Sequence, residues 1–443
     1  MLLSTPSLWT QIDFSKSTES QQGAFLHRSG SQPLHIHHYL DDEHNFEPFL
    51  STTLDNLSRL QGLSINSCLF GLHRLLRNFF TPAPELRHLK ITNDPNTTEM
   101  DIKLPNIFRG QIPKLTSLKL RFLCTNLRDF NFLSLTRFTF ETGTDTSIQD
   151  LTSFFERCPS LEFIQIDLPY MPRSTAAPPR RRARLVSLQE LRLDQTACAI
   201  GLLDQLTLPN CTEMVLKGQF TGETLDPRGF PTARIHPSSI AHLPVTREIT
   251  KAVAMPNSCV FSGPNGNLRF WCFCEGRRDF DADFFTSFSP ISISQIRELW
   301  VGQSTPPGFF SSSGPWKQTT PRVRGAFKVL TSVEDLTIVS CVTKPFFTTL
   351  GGPVNDGVLL PKLQSLTIYV GCGDLDTPAL IRCAKARKKH LQPLGEVTVV
   401  WEEDPGADIM QEMESLGELV GELTQRVDEA PKLSWKVEDY DDW

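Results

Sequence analysis

Four octets of the chain share one pattern of proline, leucine and alternating apolar residues. They begin at Pro84, Pro113, Pro159 and Pro361, and each reads Pro-x-Leu-x-x-apolar-x-apolar. The last part of each octet alternates apolar with polar residues, which predicts a short β-strand with one buried face. A strand this short does not bury its face alone, so each copy needs other copies beside it.

Looser copies of the octet lie between and beyond these four. They begin at Leu60, Leu135, Leu188, Cys211, Ile296, Val333 and Leu394. The first apolar residues at 60, 86, 115, 135, 161, 188 and 211 follow at steps of 26, 29, 20, 26, 27 and 23 residues by subtraction. Such steps are typical of leucine-rich repeats. The pattern predicts an α/β fold: an irregular leucine-rich-repeat solenoid with a parallel curved sheet and helices or turns on its convex side. An ordinary α/β domain with several similar strands is the alternative.

Helices are expected on the path between the strands. Residues 147–157 place apolar side chains on one face behind Ser147, a favourable N-cap, and residues 71–79 repeat this spacing. In the tail, apolar residues from Ile409 to Val427 are spaced 4, 3, 4, 3 and 4, which predicts one amphipathic helix. We expect this helix to pack near Val397 and Val399 as a cap on the last repeats.

These patterns divide the chain into five segments. An N-terminal cap (1–50) is followed by repeats (51–217), an irregular segment or insertion (218–295), further repeats (296–401) and an acidic C-terminal tail (402–443). Within the irregular segment, residues 268–274 read as a strand, and residues 264–267 as the turn before it. The Pro-rich basic stretch 171–184 predicts an exposed loop, with a nuclear-import or phosphate-binding patch as the alternative.

The charge is unevenly distributed along the chain. The net charge is −6, but residues 402–443 hold 14 Asp and Glu against 3 Lys and Arg, so the tail carries −11 and the rest +5. No strongly basic nucleic-acid surface emerges, and no apolar run reaches the roughly 20 residues of a membrane span. The start of the chain lacks the pattern of a secretory signal, and its 11 Cys show no framework spacing. We therefore expect a reduced intracellular protein, cytoplasmic or nuclear.

No motif for catalysis, cofactor binding or metal binding is recognisable. His35 and His37 share one face of a predicted strand, but no Cys or carboxylate pattern completes a metal site around them. No second cysteine pair accompanies Cys272-x-Cys274, so we predict that both are buried thiols. We predict a non-enzyme without cofactor or metal. The alternative is an enzyme with its site in the irregular segment, which holds Arg277, Asp279, Asp281 and Asp283.

The polar positions of the strands predict a partner-binding surface on the concave face. Its candidate residues are His88, Lys90, Ser117, Lys119, Arg137, Phe163, Gln165, Glu190 and Arg192. Neighbouring strands would align Lys90, Lys119, Arg137 and Arg192 into a cationic patch, with Phe163 as an apolar anchor. Such a patch favours an acidic segment of a protein partner.

The first stretch of the chain carries a family resemblance. Residues 3–13, with Leu-Ser-Thr-Pro-Ser-Leu-Trp, and residues 25–36, with Leu-His-Arg-Ser-Gly-Ser-Gln-Pro-Leu, are similar to the segment directly after the F-box in fungal, mushroom-type F-box/leucine-rich-repeat proteins. The resemblance implies that residues 1–50 are a post-F-box cap. It also implies that the chain is the substrate-recognition part of an SCF-type ubiquitin-ligase receptor. The F-box itself is not matched, so binding of the Skp adaptor is expected only if an F-box lies upstream.

The chain is expected to be a monomer that contacts neither nucleic acid nor membrane. A protein-interaction scaffold unconnected with ubiquitin is the alternative function.

Overall fold

The computed structural model describes most of the chain. The described residues are 5–40, 46–67, 72–94, 104–123, 127, 130, 132–141, 146–167, 182–194, 201–218, 240, 243–255, 258–272, 293–302, 320–339, 343–352, 358–370, 375–402 and 404–427. They fall into two compact units, one holding the described residues up to Gly218 and the other those from Ile240 onward. Each unit is a mixed α/β structure on a mostly parallel sheet.

The first unit is organised by strands that pair in parallel with their neighbours along the chain. The strands of this sheet are β1 (Gln11–Asp13), β2 (Leu34–Leu40), β3 (Leu60–Ser67), β4 (His88–Asn93), β5 (Ser117–Arg121), β6 (Arg137–Glu141), β7 (Phe163–Asp167), β9 (Glu190–Asp194) and β11 (Glu213–Gly218). Two short strands, β8 (Ala183–Arg184) and β10 (Leu206–Thr207), pair with each other separately.

Helices of the first unit connect these strands. They are α1 (Glu19–Ser29), α2 (Phe46–Asp55), α3 (Leu72–Leu76) and α4 (Ile148–Glu156), with 3-10 turns at Pro6–Trp9, Leu57–Arg59 and Ile107–Gly110. The prediction for α4 is confirmed, because Ser147 Oγ accepts a hydrogen bond from the Asp150 N–H at 3.1 Å. Only five residues of the predicted 71–79 helix are helical.

The second unit combines a hairpin with a parallel array. Strand β12 (Lys251–Met255) pairs antiparallel with β13 (Ser258–Gly263), and β13 pairs antiparallel with β14 (Gly266–Cys272). On its other edge β12 pairs in parallel with β15 (Glu298–Gly302), which is followed in parallel by β16 (Asp335–Val339), β17 (Ser365–Val370), β18 (Glu396–Trp401) and β19 (Glu422–Val427). The helices are α5 (Thr320–Val329), α6 (Lys344–Gly351), α7 (Thr377–Lys389) and α8 (Ala407–Gly417), with 3-10 turns at Pro244–Thr246 and Ile293–Gln295.

The octet pattern has a direct structural cause. The first leucine of each octet is fully buried, and its N–H donates to the carbonyl three residues earlier, as from Leu86 to Ala83 at 3.2 Å and from Leu363 to Leu360 at 3.0 Å. The next residue but one begins the strand, and alternate residues then enter the core. The predicted core positions are all at most 3 % exposed; they are Leu89, Leu118, Ile164, Leu191 and Leu366.

The backbone repeats one further contact from strand to strand. The residue after the first leucine donates its N–H to the equivalent carbonyl of the preceding copy, as from Arg87 to Gln61 and from Glu162 to Thr136, each at 2.8 Å. The same bond recurs in the second unit, from Gln364 to Glu334 at 2.8 Å. This bond therefore fixes the register of neighbouring strands at the point where each strand begins.

The predicted tail helix is only half correct. The apolar seam divides between α8, where Met413 and Leu416 are fully buried, and strand β19, which pairs with β18. Two glycines, which are poor helix formers, lie at this change. A Cβ at Gly421 would lie only 2.5 Å from the Gly395 carbonyl oxygen, so the chain needs glycine where it enters β19. The expected packing site is confirmed, because Leu423 is the register partner of Val397.

At the N-terminus, the apolar side chains are divided between the core and the surface. Ile12 and Phe14 are buried, but Leu8 is 56 % exposed. The Trp9 ring lies 5.3 Å from the Phe25 ring, and the Arg28 guanidinium lies 4.6 Å above it. Trp9 therefore fastens the first 3-10 turn to α1, whereas Leu8 takes no part in the core.

Several predictions concern the irregular segment and the loops. Pro264 and Asn265 form the predicted turn, which closes the β13–β14 hairpin. The acidic residues of the alternative enzyme site lie in 273–292, outside the described residues, as does the basic stretch up to position 181.

Among the described helices, α7 is the longest at 13 residues, and none is long and apolar enough to cross a bilayer.

Candidate functional site

Outward-facing side chains of strands β4 to β11 form three rows across the first sheet. The entry row holds His88, Ser117, Arg137, Phe163 and Glu190, one residue from each successive strand. The middle row holds Lys90, Lys119, Thr139, Gln165 and Arg192. The exit row, at the carboxyl ends of the strands, holds Thr92, Arg121, Glu141, Asp167 and Asp194, with Lys217 of β11 beside the last.

The two faces of this sheet differ sharply in exposure. On the core face, Leu118, Phe138 and Ile164 are at most 3 % exposed. On the outward face, every residue of the middle row keeps part of its surface in solvent. Parallel sheets are commonly covered on both faces, whereas this face carries charged and polar side chains that are partly exposed to solvent.

All nine predicted binding residues lie on this outward face, but their four cations do not lie in one row. Lys90 and Lys119 are register partners on neighbouring strands. Arg137 belongs to the entry row, two residues earlier along its strand, and Arg192 lies beyond Gln165 in the middle row. The predicted alignment of four cations is therefore wrong, because it ignored the two-residue offset between rows.

Phe163 is covered rather than presented as an apolar anchor. It is only 7 % exposed, because the Arg137 guanidinium lies 4.4 Å and the Arg192 guanidinium 5.4 Å from its ring centre. Guanidinium groups stack favourably on aromatic faces. Arg192 also forms an ion pair with Glu190 on its own strand. These contacts fix the two arginines in place, so a partner meets their outer edges and not the ring.

Positive charge concentrates at the β4–β5 part of the face. Burial, and then the charge of Arg121, lower the pKa of Lys90 below its usual value. Burial, followed by the charge of Arg87, likewise lowers the pKa of His88. Lys90, Lys119 and Arg121 therefore supply the positive charge here, and an anionic group placed among them would be stabilised.

The exit row was not predicted from the sequence. Arg121 forms an ion pair with Glu141, and Lys217 lies 3.4 Å from Asp194, which leaves Asp167 between two carboxylates. Burial, followed by the charges of Asp194 and Glu141, raises the pKa of Asp167 to about 7. Its Oδ1 atom has no hydrogen-bond partner among the described residues. Extending each octet by one more residue with the same alternation would have revealed this row.

Histidines occupy the outward face at the β1–β4 end. His37 Nδ1 lies 3.3 Å from Asp13, and His37 Nε2 lies 3.2 Å from the Asn66 side-chain amide. Burial alone would raise the pKa of Asp13, but hydrogen bonds from His37 and Ser15 outweigh burial and lower it. The His35 and His88 rings stack 6.1 Å apart across Gly62, which has no side chain to separate them.

Neither a metal site nor a reactive thiol emerges from the described part of the chain. No three His, Cys, Asp or Glu side chains there are arranged to hold a metal ion. Cys158, Cys211, Cys259 and Cys383 are buried thiols. Burial raises the pKa of the Cys158 thiol to about 11 and that of Cys211 to about 12, which suppresses the reactive thiolate. The side chains of the Cys272-x-Cys274 pair lie outside the described residues.

Comparison with known proteins adds no family to this geometry. No protein-family model matches the chain, and no curated protein matches it in sequence. We therefore infer function from the two sheet faces and from the sequence resemblance.

Proposed function

We propose that the chain is a protein-binding module that recognises its partner on the outward face of the first sheet. The observation that carries this proposal is the contrast between the two faces: a sealed apolar core behind the strands, and rows of partly exposed charged side chains in front. The residues most directly involved are those of the entry and middle rows. No step of this function requires a cofactor or metal.

We further infer that both parallel arrays are leucine-rich repeats of a solenoid. The repeated turn at the first leucine and the repeated backbone bond between copies support this inference. Each copy occupies one strand and one return path, as a solenoid requires. Steps of 20 to 29 residues between copies, by subtraction, support it as well.

The partner that fits the β4–β5 part of the face is an acidic segment of a protein. Lys90 and Lys119 stand side by side there, and Arg121 lies two residues beyond Lys119 on the same strand. An extended acidic segment would place carboxylates among these groups, which complements the positive potential. The exit row, with Glu141, Asp167 and Asp194, sets a boundary that repels the same segment and so restricts where it lies.

In the cell, we propose that this partner is a substrate presented to an SCF-type ubiquitin ligase. The support is the resemblance of residues 3–36 to the segment after an F-box. Residues 25–36 of that stretch run from helix α1 into strand β2, the order of elements that the resemblance implies. The alternative, an interaction scaffold without a ubiquitin-related role, uses the same binding face.

The binding proposal is tested by titrating labelled peptides with the 443-residue chain and following fluorescence anisotropy. We expect an alternating (Glu-Gly)5 peptide to bind, and a (Gln-Gly)5 peptide of equal length to bind at least about tenfold more weakly. Replacing Lys90→Glu together with Lys119→Glu should abolish the preference, because both cations become repulsive anions.

A matched control carries the same change in charge elsewhere. Lys362→Glu with Lys385→Glu alters two exposed lysines of the second unit and should leave binding of the acidic peptide unchanged. Equal loss of binding in both double variants would show a nonspecific charge effect and would contradict the proposed face. Absence of binding to the unaltered chain would contradict the acidic partner.

A further inference from the structure

The second unit carries an aromatic pair on the outward face of its own sheet. Trp300 of β15 and Tyr369 of β17 stack with ring centres 5.9 Å apart and an angle of 14° between their planes. Their rings meet in front of β16, the strand between them. Both side chains are only partly buried, so the pair keeps surface available to a ligand.

A row of carboxylates runs beside this pair at the start of the strands. In register across β15 to β19 lie Glu298, Asp335, Ser365, Glu396 and Glu422. All four carboxylates are exposed. Adjacent strands are about 4.8 Å apart, so the row presents carboxylates at intervals of roughly 5 to 10 Å.

The negative charges of this row are incompletely balanced by the described cations. Among the described residues, Lys251 lies 2.7 Å from Glu298 and is the one cation in an ion pair with the row. Burial, and then the charges of Glu298, Glu334 and Glu396, raise the pKa of Asp335 above its usual value. The carboxylates thus repel one another, and a cation placed along the row would relieve that repulsion.

Hydrogen-bonding side chains lie between the carboxylate row and Tyr369. Thr337, Thr367, Thr398 and Thr424 follow Trp300 in register across successive strands. The Thr398 hydroxyl donates to Glu396 at 3.2 Å and so orients that carboxylate. A guanidinium group fits the aromatic pair and the carboxylate row better than an ammonium group does. It stacks on aromatic rings and forms two parallel hydrogen bonds to a carboxylate.

We propose that the outward face of β15–β19 binds an arginine-bearing segment of a protein partner, with guanidinium groups on the Trp300–Tyr369 pair and along the carboxylate row. An extended peptide places alternate side chains on one side about 7 Å apart, a spacing compatible with this row. The proposal is independent of the function assigned to the first sheet, because all of its residues belong to the second unit.

The test uses the full chain and labelled (Arg-Gly)5, (Lys-Gly)5 and (Gln-Gly)5 peptides in anisotropy titrations. We expect the arginine peptide to bind more tightly than the lysine peptide, and the glutamine peptide not to bind. Asp335→Asn with Glu396→Gln should weaken binding of the arginine peptide about tenfold, since partly exposed ion pairs contribute modestly. Trp300→Leu should remove the preference for arginine over lysine.

Control variants separate this proposal from general attraction to an acidic protein. Glu412→Gln with Glu414→Gln removes two exposed carboxylates of α8 and should leave binding unchanged. Thr367→Lys places a cation in the centre of the face and should abolish binding, which provides a second readout if Trp300→Leu fails to fold. Equal effects of the two carboxylate double variants, or equal binding of the glutamine peptide, would overturn the proposal.

Discussion

At the scale of single residues, successive residues of each strand point alternately into the core and toward solvent. Leu118 is 3 % exposed and faces the core, whereas Lys119 keeps part of its surface in solvent on the outward face. The sequence predicted this division, because the apolar positions of the octets are spaced two apart. It did not predict that Phe163 would be covered, since the covering Arg137 and Arg192 come from other strands.

Leu118→Ala should lower the free energy of unfolding by about 2–5 kcal/mol, because it leaves a cavity in a sealed core. The matched control is Lys119→Ala, one residue further along the strand, for which we expect a change within about 0.5 kcal/mol. Urea unfolding followed by circular dichroism measures both values. A loss below about 1 kcal/mol for Leu118→Ala would show that this position is not in the core.

Asp167→Asn should stabilise the protein in a pH-dependent manner. The folded pKa of about 7 lies above the ordinary 3.8, so ionisation of this carboxyl opposes folding above pH 7. Between those two values the folded state binds more protons, and stability falls as the pH rises. We expect the substitution to add about 1–3 kcal/mol at pH 8 and to lose this advantage toward pH 4. Urea unfolding at both pH values measures it; an equal gain at both would contradict the assigned pKa.

At the scale of elements, arginine side chains connect helices to the loops of neighbouring copies. The Arg387 guanidinium on α7 is buried and donates to the carbonyls of Leu359 and Leu360 at 2.9 and 3.1 Å. Arg157, just after α4, likewise donates to the carbonyls of Leu127 and Phe130 at 2.7 and 3.1 Å. These contacts compensate carbonyl groups that irregular loops leave without partners. Periodicity along the sequence does not reveal them, because donor and acceptor lie in different copies.

Arg387→Met is expected to destabilise the protein by about 1–3 kcal/mol, because it leaves buried carbonyl groups without a donor. The control is Arg382→Met on the exposed side of the same helix, which should change stability by less than about 0.5 kcal/mol. Thermal unfolding of both variants measures the difference. Equal unfolding temperatures would show that the Arg387 bonds contribute nothing to stability.

The tail shows how far a helical spacing predicts an element. The spacing identified α8 and its apolar residues correctly, but extended the helix through residues that pair as β19. Gly417 and Gly421 were visible as weak points for a helix. The parallel pairing of Leu423 with Val397 was not visible, since it depends on a strand more than twenty residues earlier, by subtraction of positions 423 and 397.

Ending the chain at Asp404 should lower the unfolding temperature, because it uncovers the edge of β18 and removes the buried Met413 and Leu416. Light scattering of the shortened and full chains tests the same role of the tail by measuring their oligomeric states. We expect a monomer for the full chain and self-association for the shortened one, since an uncovered strand edge pairs readily. A stable monomer with an unchanged unfolding temperature would contradict the role of the tail as a cap.

At the scale of the whole molecule, each of the two units combines a buried core with a sheet face of partly exposed polar and charged side chains. In the first unit the β4–β5 part of that face is cationic, and in the second unit the row beside Trp300 is anionic. The octets alone predicted the parallel sheets and their core positions. They did not predict the charges of the exit row or the Trp300–Tyr369 stack, because these arise when residues of different copies come into register.

Site-specific labelling of cysteines most directly tests the claim that the first sheet has one open face. Single cysteines are placed at Lys119, Thr139 and Gln165 on the outward face, and at Leu118 and Ile164 on the core face. A water-soluble maleimide is then added to the folded chain, and mass spectrometry follows each position. The buried Cys158 and Cys211 serve as internal controls for intact folding. We predict rapid labelling at the three outward positions and protection at the two core positions. Protection at all five positions would mean that both faces are covered, and it would contradict the account of a binding face.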